Sequence, residues 1–297
     1  MLVKWYRKYV PEKTRDSIYN AFLGAVLDFF RYFCLRERLK VIVIYWFQCF
    51  LPDTDENRRF AFMGRYGITH YPYPFSLEYY RLPVDCLFDE QYQLPYIIHS
   101  GKKLYFPKSY QKRLITFAYR NLRTEQDARS PHLYVKDMNR LKGKTVLDIG
   151  AAEAIFSLDA IELIHQAYIF ECDENWIEAL NATFAPWKEK VTIVRKYVGE
   201  VDDDNNITLD HFLEGKDKTH LFLKMDIEGY EQAALKGAHN TLQEVHDLDF
   251  SICTYHRKND AVEIADILRS YHFEYEQTEG YVYFEKEFRK GIIRRKI

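Results

Sequence analysis

The segment Thr145 to Ala154, with the sequence TVLDIGAAEA, decides the fold of this chain. An apolar strand passes through Asp148 and ends in Gly150, and two alanines follow. In a doubly wound α/β sheet such a turn lies at the carboxyl end of the first strand, where a glycine lets the backbone approach a ligand closely. A helix predicted over Glu153–His165 would point its N-terminal amide groups at the same crevice. The segment therefore predicts a turn that binds a nucleotide-like cofactor.

An acidic residue follows at the expected distance. The next apolar strand, Ala167 to Glu171, ends in a glutamate that lies 21 residues after Gly150. A carboxylate about 20 residues beyond such a turn reaches a ribose diol in dinucleotide-binding folds. Glycine, helix and acid are thus expected to converge on one adenosine-like ligand.

The glycine pattern narrows the choice of ligand. A dinucleotide turn has the pattern G-x-G-x-x-G, which leaves room for a pyrophosphate, whereas this chain has a glycine only at the first of those positions, Gly150, and Ala152 at the second. A single glycine suits a ligand without phosphates, such as S-adenosylmethionine. Asp148 is then expected either to face the ammonium group of that ligand or to order the turn.

A second polar cluster, Lys224 to Glu231, directly follows the apolar residues Leu221–Leu223. Alternation along a strand would bring Asp226 to the same crevice. Glu228 could deprotonate a substrate hydroxyl, hold a Mg²⁺ ion together with Asp226, or favour the positive end of a helix. His256 follows a fifth strand and could act as a base or as a ligand, because its ordinary pKa is near neutrality.

The order of the predicted elements defines the fold class. Strands alternate with helices from Gly143 onward, which indicates a mostly parallel sheet. Two aromatic strands within Tyr271–Phe288, separated by a turn at Glu279-Gly280, predict a terminal antiparallel hairpin. We therefore predict an α/β, Rossmann-like, seven-stranded sheet of the class I methyltransferase type, with core strands near 144–149, 167–171, 191–196, 221–226 and 249–254.

These motifs resemble those of FkbM-type S-adenosylmethionine-dependent methyltransferases. The resemblance rests on VLDIGAAE, FECDENWIEAL, ITLD, KMDIEGYE followed by ALKGA, and CTYH, and it spans about residues 123–285. It implies methyl transfer, usually to a hydroxyl of a sugar or natural-product intermediate, in bacterial members often for surface polysaccharides. Ala154 departs from the glycine that is common in the family, which puts the width of the cofactor turn in question. The predicted cofactor contacts are Asp148, Gly150, Ala151, Ala152, Glu153, Glu171 and Asp226, and the predicted catalytic residues are Asp226, Glu228 and His256.

The first part of the chain has a different composition. Residues 1–122 are aromatic and interrupted by prolines, and we predict an N-terminal appendage of helices and a hairpin over Tyr96–Phe106, followed by the methyltransferase domain at 123–297. A largely apolar helix over Asp16–Phe33 must be covered by the rest of the protein, by a second subunit or by a membrane surface. The apolar run Val41–Leu51 is too short to span a bilayer and predicts a buried element.

Charge and cysteine content bear on the cellular location and on the class of substrate. Residues 1–50 hold nine Lys/Arg and four Asp/Glu, residues 286–297 hold six and one, and the middle is acidic. The five cysteines are not spaced for disulfides or zinc, and no secretory signal opens the chain, so a cytoplasmic protein is expected. The acidic middle, and the lack of an N/D-P-P-Y/F sequence after the fourth strand, disfavour a nucleic-acid substrate.

Two other functional classes stay open from the sequence. A nicotinamide-dependent oxidoreductase is disfavoured by the single-glycine turn and by the terminal hairpin. A non-catalytic scaffold that keeps the methyltransferase fold is favoured by Ala154. The leading hypothesis remains a methyltransferase with a small-molecule or saccharide acceptor, and with a peripheral membrane or homodimer contact through the N-terminal region as a further expectation.

Overall fold

The computed structural model describes residues 35–296 of the 297-residue chain. The chain divides into two compact units, with the division between Tyr73 and Pro74. Residues 74–122, which the composition grouped with the N-terminal appendage, thus belong to the same unit as the main sheet. The helix predicted over Asp16–Phe33 lies outside the described residues.

The described part of the first unit, residues 35–73, contains two helices, α1 (Leu35–Phe47) and α2 (Asp55–Tyr66), joined through a 3₁₀ turn at Gln48–Phe50. Thr54 caps α2 by accepting a hydrogen bond from the Asn57 backbone N–H. Gly64 allows the helices to approach closely, because a Cβ there would lie 2.3 Å from the Val41 carbonyl oxygen.

The prediction of a buried element over Val41–Leu51 is wrong for most of its side chains. Val41 is buried, but the side chains of Trp46 and Phe50 are 71% and 81% exposed. In this unit the first helix packs against α2 with one side only, so its other apolar residues lie at the surface.

The second unit begins with α3 (Ser76–Tyr80) and a small antiparallel sheet, β1 (Leu87–Asp89), β2 (Leu94–His99) and β3 (Lys102–Tyr105). The predicted hairpin is confirmed: β2 and β3 pair across a turn at Ser100 and Gly101, both with positive φ. The following helix, α4, spans Lys112–Glu125. Because the Tyr105 backbone N–H donates to Thr183 on a helix of the main sheet, this small sheet is part of the larger unit.

Seven strands form the main sheet, and the helices that connect them pack on its faces. The described elements, in chain order, are β4 (Thr145–Ile149), α5 (Ile155–Ala160), β5 (Gln166–Phe170), α6 (Glu174–Phe184), β6 (Val191–Val194), the short strands β7 (Tyr197–Val198) and β8 (Asn206–Ile207), α7 (Leu209–Phe212), β9 (Leu221–Met225), α8 (Glu231–Lys236), α9 (His239–Glu244), β10 (Asp249–Cys253), α10 (Asp260–Ser270), β11 (Tyr275–Gln277), β12 (Val282–Phe284), β13 (Glu287–Arg289) and β14 (Ile292–Arg295).

The strand order of the main sheet is β11-β14-β10-β9-β4-β5-β6. Strands β4, β5, β6, β9 and β10 are parallel neighbours, and β14 is antiparallel to both β10 and β11. This is the predicted class I methyltransferase fold, in which one antiparallel strand is inserted near the edge of a parallel sheet. All five residues of β9 and of β10 are buried, because helices cover both faces of the centre of the sheet.

The pairing of the terminal hairpin differs from the prediction. β11 does not pair with β12 but with β14, whereas β12 and β13 form a separate two-stranded ribbon. Ile292 and Ile293 of β14 are fully buried, and the buried Arg294 forms an ion pair with Glu276 at 3.0 Å. The basic end of the chain therefore contributes a core strand, because its isoleucines fill the sheet and its arginine finds an acidic partner.

No helix within residues 35–296 is long and apolar enough to cross a membrane.

Candidate functional site

Asp148 lies inside the protein, beneath the turn that follows β4. Its carboxylate is fully buried, lies 2.9 Å from the Lys224 ammonium and accepts a hydrogen bond from the Ser157 hydroxyl at 2.6 Å. Lys224 also donates to the Gly150 carbonyl at 2.6 Å. Burial opposes the charge of Lys224, but Asp148 and Asp226 together raise the pKa of its ammonium. Of the two roles predicted for Asp148, this geometry matches the ordering of the turn.

Gly150 is required by the protein itself. Its φ is +73°, and a Cβ at this position would lie 1.8 Å from the carbonyl oxygen of Asp226. The sequence predicted that the missing Cβ makes room for a ligand, whereas the structure places the backbone after β9 in that space. The close approach holds the turn at 150–154 directly against Asp226 of the second polar cluster.

The rest of the turn is bent by two alanines in the left-handed region. Ala152 has φ +47° and Ala154 has φ +55°, and the Ala154 N–H closes a tight bend by donating to the Ala151 carbonyl. A left-handed backbone costs an L-residue about 1–2 kcal/mol. Ala154, which the sequence marked as a departure from the family glycine, thus occupies a position whose conformation favours glycine.

Glu171 connects the end of β5 to this turn. One carboxylate oxygen accepts a hydrogen bond from the Ala152 N–H at 2.8 Å, and the other accepts from the N–H groups of Cys172 and Asp173. A carboxylate has about four lone-pair positions, so the half-buried side chain retains capacity for one further donor. The predicted ribose contact is therefore compatible with the hydrogen bonds that the side chain already makes.

Glu153 lies within the turn with a partly buried side chain. Burial raises the pKa of its carboxyl group to about 7, against an opposing effect of Lys224. The group therefore changes charge near neutral pH at the rim of the predicted cofactor site.

Asp226 immediately follows β9, as the sequence predicted, and is surrounded by polar rings. The Tyr134 hydroxyl donates to its Oδ2 at 2.7 Å, and the Nε2 atoms of His132 and His256 lie 3.6 and 3.3 Å from its carboxylate oxygens. Burial alone would raise the pKa of Asp226, but Lys224 and the two histidines hold it below its ordinary value. Asp226 is thus an ionised acceptor of hydrogen bonds.

His256 is held between acidic groups at the end of β10. Its Nδ1 lies 2.7 Å from Oε1 of Glu231, and its Nε2 lies 3.3 Å from Asp226 and 3.7 Å from Glu228. Burial opposes a positive charge, yet the hydrogen bond to Glu231 and the neighbouring Asp226 raise the pKa of the imidazole above its ordinary value. This side chain is suited to accept and hold a proton.

Glu228 contributes less to this cluster than the other two predicted catalytic residues. Its side chain is 83% exposed, and its closest ion-pair distance is the 3.7 Å to His256. Its backbone has φ +53° and precedes Gly229 at φ +94°, so Glu228 lies on a turn before α8 and not in the first turn of that helix.

The segment ahead of the main sheet supplies two aromatic side chains that the sequence did not identify. Tyr134 bonds to Asp226, and the His132 ring lies 3.1 Å from the Tyr255 hydroxyl. Backbone carbonyls of this segment accept hydrogen bonds from Ser251 and Thr278. Burial lowers the pKa of His132 to about 4, which favours its neutral form. Both side chains lie beside the Asp226 carboxylate.

Two groups of side chains within the described residues bring metal-ligand atoms within 4.8 Å of one another: Asp226, Glu231 and His256, and His132, Asp226 and Cys253. In the first group Glu231 and His256 already hydrogen bond to each other. Glu228, which the sequence paired with Asp226 for Mg²⁺, belongs to neither group. The Mg²⁺ alternative therefore stays a prediction.

The predicted residues lie along one edge of the sheet in two sets. The cofactor set consists of the turn at 150–154 and Glu171, at the ends of β4 and β5. The other consists of Asp226 and His256 at the ends of β9 and β10. The Gly150 contact with Asp226 connects the two sets.

Four side chains of this region were not among the predicted site residues: Glu231, Tyr134, His132 and Ser157. The signal for Glu231 was present, since it closes the KMDIEGYE motif. The positions of His132 and Tyr134 depend on contacts between distant segments, which no local pattern in the sequence indicates. Ser157 lies nine residues after Asp148 and reaches it from the helix that follows the turn.

Comparison with known proteins supports this architecture. Residues 165–275 match the family model described as Methyltransferase FkbM domain. No curated protein matches the sequence.

Solved structures similar to this chain include three bacterial proteins. An FkbM methyltransferase from Methylobacillus flagellatus KT is 18% identical, with a TM-score of 0.42 over 62% of this chain and 54% of that protein. A precorrin-6y C5,15-methyltransferase from Geobacter metallireducens GS-15 is 13% identical, with a TM-score of 0.36 over 53% of this chain and 83% of that protein. A protein from Streptococcus mutans solved in complex with SAH is 10% identical, with a TM-score of 0.39 over 54% of this chain and 93% of that protein.

This chain thus spans about half the length of the Methylobacillus flagellatus protein. The match to the family model covers β5 to α10, including the second polar cluster and His256, whereas the turn at 150–154 lies before it. The resemblance predicted from the motifs is confirmed: residues 165–275 match the FkbM methyltransferase domain.

Proposed function

We propose that this protein is an S-adenosylmethionine-dependent methyltransferase that methylates a hydroxyl group of a small-molecule or saccharide acceptor. The observation that carries the proposal is the junction of two sets of side chains at one sheet edge. The turn bound by Glu171 lies against the backbone of Asp226, and Asp226 lies beside His256. Ligands of open α/β sheets bind at this edge, outside the carboxyl ends of the strands.

The residues on the cofactor side fit an adenosine ligand without phosphates. Glu171 has one remaining acceptor position for a ribose hydroxyl. Ala151 and Ala152 have small side chains in the same turn. Glu153 supplies a carboxylate that can favour a cationic ligand when it is ionised. When bound, the cofactor supplies a sulfonium methyl group that is reactive towards nucleophiles.

On the acceptor side, His256 is the group that we assign as the base. The proton of the acceptor hydroxyl passes to Nε2 of His256, and the positive charge that forms is stabilised by Asp226 and Glu231. Glu228, whose side chain is exposed and lies 3.7 Å from Nε2 of His256, is the second candidate for this role. The protein otherwise contributes by orienting the acceptor and by excluding water, effects that supply about 7–11 kcal/mol in well-oriented reactions.

Calorimetry with S-adenosylhomocysteine tests the cofactor. We expect binding, no binding of NADH, and an affinity about 10-fold or more lower in Glu171→Gln, because a hydrogen bond to a charged group contributes about 1.5–3 kcal/mol. Glu174→Gln, an exposed acid in the first turn of α6, is the matched control. NADH binding without S-adenosylhomocysteine binding would favour the oxidoreductase, and absence of both at millimolar concentration would favour the scaffold.

The acceptor class rests on the family resemblance, in which hydroxyls of sugars and natural products are the usual acceptors. Transfer of radiolabel from methyl-labelled S-adenosylmethionine into fractionated cell extracts would identify the acceptor. Label in a small, polar, protease-resistant and nuclease-resistant fraction is expected, and label in RNA would refute the proposed class.

The contacts of the first unit and the cellular location are also proposals. The aromatic side chains of Trp46, near the end of α1, and of Phe50, in the 3₁₀ turn after it, are exposed. We propose that the first unit contacts a membrane or a second copy of the chain. Vesicle sedimentation tests the membrane contact, and measurement of the oligomeric state tests the homodimer. The cytoplasmic location stays a prediction.

A further inference from the structure

We propose that Glu231 is a positioning residue that fixes the His256 imidazole in its Nδ1–H form, with Nε2 turned toward Asp226 and the acceptor. The inference rests on the proposed function, because it concerns the base of that reaction. Glu231 begins α8, and its carboxylate reaches Nδ1 of His256 at 2.7 Å. A carboxylate can only accept, so the shared hydrogen belongs to Nδ1.

The position of Glu231 is difficult to explain as a contribution to fold stability. Its side chain is 0% exposed. Oε1 accepts from the Ile227 N–H and from His256, whereas Oε2 has no hydrogen-bond partner within the described residues. A buried carboxylate with an unsatisfied oxygen costs free energy of folding. An apolar side chain would avoid this cost, which indicates that the carboxylate serves the group it contacts.

The geometry at the other side of the ring is consistent with this role. Nε2 of His256 is buried and makes no hydrogen bond within the described part of the chain, although Asp226 and Glu228 lie 3.3 and 3.7 Å away. With the hydrogen on Nδ1, Nε2 presents a lone pair on the side of Asp226 and Glu228. An acceptor hydroxyl that reaches Nε2 can transfer its proton to it, and Glu231 then stabilises the imidazolium.

Several charged groups surround the ring and must be considered in any titration. Asp226 and Glu228 face it from the loop after β9, and Glu231 faces it from α8. His132 and Asp260 interact with it electrostatically, and the Arg289 guanidinium donates to the His256 carbonyl. Among these groups Glu231 makes the shortest contact with an imidazole nitrogen, so its charge is expected to have the largest single effect.

The test is an NMR titration of His256 in the full chain, which requires no acceptor. Imidazole ¹⁵N and ¹³C shifts report the pKa and the tautomer, and the His256→Asn spectrum assigns the resonance. Glu231→Gln removes the charge and keeps an acceptor oxygen. Glu231→Met removes both the charge and the acceptor oxygen. Glu231→Asp keeps the charge and is used if the other two variants fold poorly. Glu263→Gln, which changes an exposed acid on α10, is the matched control.

In the wild type we expect the Nδ1–H form when His256 is neutral. Glu231→Gln should keep that tautomer and lower the pKa of His256 by at least about 1, as expected for removal of a neighbouring opposite charge. Glu231→Met should lower the pKa and also populate the Nε2–H form, with an unfolding temperature equal to or above that of the wild type. Glu263→Gln should change neither.

Other results would overturn the inference. If the tautomer and the pKa of His256 are the same in all variants, Glu231 does not position the ring. If Glu231→Gln and Glu231→Met lower only the unfolding temperature, the role of Glu231 is structural. Calorimetry with S-adenosylhomocysteine on the same samples separates this inference from the proposed function: a wild type that shows the expected titration but does not bind S-adenosylhomocysteine would refute the function and leave the positioning of His256 in place.

Discussion

Replacement of Gly150 with alanine should destabilise the protein through a specific contact between two loops. The added Cβ would lie 1.8 Å from the Asp226 carbonyl oxygen, so the backbone of one loop must move. Overpacking of this kind costs about 1–3 kcal/mol, and the left-handed φ of +73° adds about 1–2 kcal/mol for a residue with a Cβ. We therefore expect a loss of about 2–5 kcal/mol in the free energy of unfolding.

Gly143→Ala separates the two contributions. Gly143 has φ +72°, but a Cβ there meets no atom within 4 Å, so this variant should lose only the conformational part, about 1–2 kcal/mol. Urea unfolding of both variants measures the difference, which is expected to be about 1–3 kcal/mol. Gly150→Ala should also weaken S-adenosylhomocysteine binding, whereas Gly143→Ala should not. Equal destabilisation of the two variants would refute the reasoning, because it would show that the contact with Asp226 has no energetic consequence.

Three further predictions concern the same turn. Lys224→Met should destabilise the protein by about 3–5 kcal/mol in urea unfolding, because it leaves the buried Asp148 carboxylate without its cation. Adding Asp148→Asn should restore part of that loss, and a double variant no more stable than Lys224→Met would contradict this account. Because burial raises the pKa of Glu153 from 4.5 to about 7, its protonation stabilises the fold below pH 4.5 and this stabilisation is lost as the pH rises through about 7. Thermal unfolding should thus show the wild type losing stability relative to Glu153→Gln between pH 4.5 and 8, and parallel curves would argue against the shift. Ala154→Gly should stabilise the protein by about 0.5–1 kcal/mol, since relief of the left-handed strain exceeds the added entropy of the unfolded chain. Destabilisation by this change in urea unfolding would show that Ala154 is not strained.

The core of the fold could be predicted because its signals are local. The five central parallel strands lie within a residue or two of their predicted bounds, since continuous apolar runs such as Leu221–Leu223 are specific to strands buried on both faces. The terminal strand β14 was missed. Its two isoleucines are followed by two arginines, and the partners that accommodate the buried Arg294, Glu276 and the Leu133 carbonyl, come from other segments of the chain.

Part of the candidate site could be predicted, because strand ends are also local signals in the sequence. Asp226 and Glu171 directly follow parallel strands, so alternation and strand order place them at one edge. Sequence spacing does not show which atoms lie beside a glycine, so only the structure reveals that a Cβ at Gly150 would meet the Asp226 carbonyl oxygen. The close approach of Gly150 to a ligand stays a prediction. Glu231 faces His256 only through the packing of α8 beside the end of β10.

The parallel strands of the sheet and the acids that follow them could be located from the sequence, because hydrophobic periodicity and strand ends are properties of neighbouring residues. The pairing of the polar groups with one another follows from the packing of the folded chain. This packing pairs Asp148 with Lys224, Tyr134 with Asp226 and Glu231 with His256. These pairings depend on distances between segments far apart in the chain, and burial makes them strong because water no longer competes for the same charges and hydrogen bonds.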